Sequence, residues 1–102
     1  MAIRKSKQES FEINGKIEEI RQRVERALSN GNFTSIITNN LLNHITGNYK
    51  KFSVWGEIKI TLSENHEKTK IDIVSTANSD NIFALFSSPN DKILSAFKDN
   101  FK

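Results

Sequence analysis

The chain contains no cysteine, one proline and four glycines in 102 residues. Without cysteine there is no disulfide, no thiolate nucleophile and no sulfur-ligated zinc. No apolar run approaches the ~18 residues of a membrane span. The basic N-terminus has no apolar run behind it, so no secretory leader is expected. Gly15, Gly31, Gly47 and Gly56 are scattered, which leaves neither a phosphate-binding loop nor a dinucleotide fingerprint. The two histidines, His44 and His66, share no metal-ligand spacing, and no serine sits in a Gly-x-Ser-x-Gly elbow. No metal, no cofactor and no enzymatic activity are therefore expected.

What is present fits one small domain. Apolar residues make up 36% and charged residues 26%, and the abundance of Asn, Ile and Lys suggests an AT-rich bacterial gene. A soluble, cytoplasmic protein is the expectation. The formal net charge is +3, and most of it comes from the first ten residues, where Arg4, Lys5 and Lys7 face only Glu9. Residues 1–9 read as a flexible basic arm, and 10–102 as a single α+β domain.

Along the chain, Phe11 and Ile13 alternate with polar neighbours as in a short strand. Ile17, Ile20, Val24, Ala27 and Leu28 then recur at steps of three and four, which predicts an amphipathic helix over 16–30. Asn30-Gly31 is a stop able to take positive φ. Residues 33–77 read as four strands. The first holds Phe33, Ile36 and Ile37, and the second runs from Leu41 to Tyr49. In the third, Phe52, Val54, Gly56, Ile58, Ile60 and Leu62 share one face, with Ser53, Trp55, Glu57, Lys59 and Thr61 on the other. The fourth turns Ile71, Ile73, Ser75 and Ala77 inward after a polar hairpin loop over 64–68. Ser88-Pro89 opens a last helix, as N-cap and first residue, with Ile93, Leu94, Phe97 and Phe101 on its apolar face. The order is β-α-β-β-β-β-α: an antiparallel meander with both helices on one sheet face.

Candidate chemistry is sparse. Glu57 and Asp72 could meet across neighbouring strands, but Lys59 and Lys70 share that face and balance them. His66 reads as a solvated loop residue and His44 as a solvent-face strand residue. Gly56, in mid-strand, marks a bulge, a bend or a close approach of a helix. Four of the seven phenylalanines fall in the last fifth of the chain. Ile82, Phe83, Leu85 and Phe86 cannot all face inward from one short turn, so some belong to a partner surface or line an apolar pocket. The leading expectation is a non-catalytic binding or interaction module that self-associates, meets a protein partner or holds a small apolar ligand. The alternative is nucleic-acid binding by Arg4, Lys5 and Lys7 with Trp55 on the open sheet face.

Trp55-Gly56-Glu57-Ile58-Lys59-Ile60 and Thr69-Lys70-Ile71-Asp72-Ile73-Val74-Ser75 resemble small bacterial α+β domains in which a helix precedes a curved antiparallel sheet and a terminal helix lies across it. That layout is similar to a reduced helix-grip fold, the group that includes Bet v 1-like lipid-binding domains. The resemblance implies the fold and carries over no binding residue. A ferredoxin-like arrangement is the alternative for the same elements.

Overall fold

The computed structural model describes residues 3–51, 54–79 and 89–101. The first helix, α1 (Ile17–Asn30), follows the predicted periodicity: Ile17, Ile20, Val24, Ala27 and Leu28 are all buried. Fully burying one such aliphatic side chain is worth about 1.5–3 kcal/mol, so this stripe is what fixes α1 to the sheet. The helix is entered through Gly15, whose φ of +136° few other residues tolerate. Gly31 does not supply the expected positive φ, since its φ is −83° and Asn32 takes the left-handed turn at 67°. Glycine is required there for a different reason. A Cβ at Gly31 would lie 2.5 Å from the carbonyl oxygen of Ala96 in the second helix, α2 (Pro89–Lys98).

The strands are β1 (Ile3–Asn14), β2 (Thr34–Asn39), β3 (His44–Lys51), β4 (Val54–Asn65) and β5 (Lys68–Ser79). They form one sheet in the order β1-β5-β4-β3-β2, and every neighbouring pair is antiparallel. The element order is the predicted one, and the ferredoxin-like alternative fails, because β1 lies on the edge beside β5 in a sheet without parallel neighbours. Inward-facing Ile45, Ile58, Ile60, Leu62, Ile71 and Ile73 meet α1 and the α2 residues Ile93, Leu94 and Phe97 in one core. Phe101, half-buried, joins it edge-on to Phe11 and stacks near Phe97, with the Arg23 guanidinium 4.9 Å over its ring. No helix among the described residues is long and apolar enough to cross a membrane.

Three expectations are corrected. Residues 3–9, read as part of a mobile arm, are the first half of β1 and pair with β5 from Ile3↔Ser79 onward. The arm carried no alternating apolar signal because its inward positions meet helix charges instead of the core. Lys7 pairs with Asp91 at 2.5 Å and Glu9 with Lys98 at 2.9 Å, both on α2. Leu41 and Leu42, read as the start of a strand, lie in the turn between β2 and β3, held by the side chain of Asn39. The β4–β5 connection is tighter than the loop predicted over 64–68: Asn65 pairs with Lys68, leaving His66 and Glu67 as a two-residue turn with His66 at φ 60°.

Two buried hydroxyls complete the frame. Ser75 donates to the Asn90 side-chain oxygen at 2.8 Å, fastening the start of α2 to β5. Thr69 donates to the Gly15 carbonyl at 2.9 Å, fastening the entrance of α1 to the same strand. A buried hydroxyl needs such a partner, and here each also sets where a helix starts.

Candidate functional site

Strand alternation puts the functional candidates of β4 on the face away from the helices. Ile58, Ile60 and Leu62 point into the core, so Trp55, Glu57, Lys59 and Thr61 point outward. Backbone register then sets Lys50 of β3 opposite Trp55, and in the next row Asn48 of β3 and Thr76 of β5 flank Glu57. Thr34 of β2 stands opposite Asn48. The result is an open bowl of about 380 Å³ bounded by Thr34, Asn48, Lys50, Trp55 and Glu57, with Tyr49 and Gly56 also lining it.

The bowl is supported from behind. Tyr49 is buried, its ring 5.2 Å from that of Phe33. At Gly56 the backbone of β5 comes too close for a side chain, and the Ile93 side chain of α2 packs beside it. A Cβ there would collide with the Thr76 carbonyl oxygen, lie 2.9 Å from Ala77 Cα and meet Ile93 Cδ1 at 3.1 Å. Of the readings offered for this mid-strand glycine, close approach is the one observed. The bowl thus has a half-buried indole as an apolar wall, an ammonium, a carboxylate, an amide and a hydroxyl. That mixture suits a flat molecule with a polar substituent better than a purely apolar one.

A larger open hollow of about 640 Å³ lies at the β4–β5 turn, among Glu12, Asn14, Asn65, His66, Glu67 and Lys68. All six are exposed and polar, and Glu12 already accepts a hydrogen bond from Asn65 at 2.5 Å. It is a solvated recess at a hairpin tip, and His66 serves there as a turn residue.

The remaining candidates disperse. Glu57 and Asp72 do not face each other, because Glu57 pairs with Thr76 and Asp72 with Thr61, four positions further along the sheet. Four strand residues span ~13 Å. Asp72 instead accepts a hydrogen bond from Ser10 and lies 4.0 Å from Lys70. His44 is half-buried on the outer face opposite Thr61. No group of three or more His, Asp or Glu able to hold a metal occurs among the described residues. Lys7, offered for nucleic acid, is committed to Asp91; that hydrogen bond, and then the carboxylate charge, raise its pKa above the ordinary lysine value. The backbones of Arg4 and Lys5 run within β1. Ile82, Phe83, Leu85 and Phe86 lie outside the described residues. Thr34 and Asn48 give no signal in the sequence, and Lys50 only that of a basic residue able to contact phosphate, because only strand register brings them to Trp55.

No protein-family model matches the chain, and comparison with curated proteins gives no match. Among solved structures the chain is similar to norcoclaurine synthase from Thalictrum flavum. A point mutant in complex with a transition-state analogue aligns with a TM-score of 0.66 at 9% identity, over 99% of this chain and 93% of that one. A truncated form gives 0.66 at 10% identity, over 98% and 92%. The synthase with dopamine and hydroxybenzaldehyde gives 0.65 at 10%, over 98% and 85%. The expectation that the chain is not an enzyme is corrected by this finding: the fold it shares is one on which a synthase is built, so missing sequence motifs do not exclude catalysis. At such identity the likeness is one of fold alone, and that fold is the helix-grip, Bet v 1-like layout.

Proposed function

We propose that this chain is a small-molecule-binding module whose ligand is a small aromatic compound bearing a polar group, held against Trp55 in the outer-face bowl. The observation that carries this reading is the convergence of Trp55, Lys50, Asn48 and Thr34, from three strands, on one bowl of about 380 Å³. That volume lies toward the small end of ligand sites, which run from about 300 to 1,000 Å³. The indole offers a stacking face, Lys50 a charge for an anionic or acceptor substituent, and Asn48 and Thr34 directional hydrogen bonds. The fold neighbours lend support, since their structures hold small molecules, dopamine and hydroxybenzaldehyde among them. On sequence grounds alone, Ile82, Phe83, Leu85 and Phe86 are further contact residues for a ligand or partner.

Trp55 is the sole tryptophan, so intrinsic fluorescence reports on the bowl without interference. A panel of small aromatic acids, amines and aldehydes titrated against the protein is expected to contain ligands that shift this emission. Trp55→Ala, followed by calorimetry, is expected to weaken them about tenfold. A panel without binders, or binders indifferent to Trp55→Ala, defeats the proposal.

A further inference from the structure

Between Arg26 and Lys50 the chain contains no Asp, Glu, Lys or Arg, although 26% of the whole is charged. The fold assembles that stretch at one margin of the sheet, as the end of α1, all of β2 and most of β3. Among the described residues β2 is the outermost strand, with no strand on its far side. Among the described residues the exposed large apolar side chains are Ile37 at 64%, Leu41 at 94% and Leu42 at 59%, all on this margin. The turn that presents the two leucines is ordered: the Asn39 side-chain oxygen accepts from the backbone N–H groups of Leu41 at 3.0 Å and Leu42 at 3.1 Å.

The opposite margin is built the other way. β1 carries Arg4, Lys5, Lys7, Glu9 and Glu12, and α2 reaches it through the Lys7–Asp91 and Glu9–Lys98 pairs. Charge along an edge strand is a usual guard against strand addition. β2 lacks that guard and has only a bulge between Thr34 and Ile37, with Ser35 at φ 51°.

We propose that the β2 margin is a self-association surface, on which a second copy of this chain lays its own β2 antiparallel about a twofold axis. Ile37, Leu41 and Leu42 of each copy then pack against the other. Charge selects this occupant. The charged groups that reach this margin come from α1 and are already hydrogen-bonded, Glu25 accepting from Thr38 at 2.8 Å and Arg21 donating to Asn43 at 2.8 Å. β2 carries no charge of its own, so set against its own copy it opposes no like charges within the strand pair. Set against another copy's β1, it would press charges onto Ile37 and Leu41 and propagate into an open chain of molecules.

The test is sedimentation equilibrium of the full chain from about 1 to about 500 µM, with circular dichroism melts to verify folding. The expected result is a dimer whose dissociation constant rises about tenfold or more in Ile37→Lys and in Leu41→Lys. Gln8→Lys on β1 is expected to leave it unchanged. Because Ile37 and Leu41 are exposed, both variants are expected to fold as the wild type does. A monomer at every concentration overturns the proposal, including one that binds lipid vesicles or a foreign peptide through this margin. So does a mass that climbs past the dimer, or a dimer that neither lysine substitution weakens.

Discussion

Gly56→Ala is the substitution that most sharply probes how the bowl is supported. A single methyl group there would overlap the Thr76 carbonyl oxygen and lie 2.9 Å from Ala77 Cα and 3.1 Å from Ile93 Cδ1. Two of these three neighbours are backbone atoms of β5, so no side-chain rotation relieves the contact. Either β4 moves off β5 or α2 moves off the sheet. Overpacking of this kind costs about 1–3 kcal/mol, and the rigid partners place it toward the upper end. Alanine recovers about 0.4–1 kcal/mol by restricting the unfolded chain. A net loss of about 2 kcal/mol remains, which for a domain of this size lowers Tm by roughly 10 °C. Gly47→Ala is the control. Its Cβ would sit 3.4 Å from Phe33 Cβ and 3.7 Å from Ile36 Cγ1, ordinary packing distances, so stability is expected to hold or rise slightly. Urea and thermal unfolding of both variants measure the difference, and a shift in Trp55 emission should accompany the first only. If Gly56→Ala is as stable as Gly47→Ala, the reasoning about this contact is wrong.

Thr69→Val removes the hydroxyl that donates to the Gly15 carbonyl while keeping the side chain's shape. A loss of about 1–2 kcal/mol is expected in urea unfolding, with Thr69→Ser restoring part of it. His66→Gly should stabilise the protein by about 0.5–1 kcal/mol: a non-glycine left-handed residue costs about 1–2 kcal/mol, and glycine's added unfolded-state freedom offsets part of that relief. An unchanged or lowered Tm would show that His66 makes contacts beyond the turn.

The legible parts of this fold are those whose partners are apolar and whose period is local. α1 announces itself because its buried stripe, Ile17 through Leu28, meets nothing but core. β4 and β5 do so because Ile58, Ile60, Ile71 and Ile73 alternate strictly with outward residues. The start of β1 gives no such signal: its inward Lys7 and Glu9 answer Asp91 and Lys98, more than 80 residues away in sequence. Leu41 and Leu42 look like strand residues by composition, yet one Asn39 side chain turns their backbone aside. Trp55 and Gly56 stand out in the sequence as anomalies, and both prove to be parts of one bowl. Thr34 and Asn48 do not, and Lys50 does so only as a basic residue. A meander tells which strands are neighbours, but no spacing along the chain encodes their register.

The bowl as the ligand's seat is tested most directly by amide and indole chemical shifts of the full chain. When an aromatic ligand from the panel is titrated in, the shifts should concentrate at Thr34, Asn48, Lys50, Trp55 and Glu57, with the Trp55 indole N–H among the largest. Shifts centred instead on the hollow at Glu12, Asn65 and His66, or on α2 and Phe101, would contradict it.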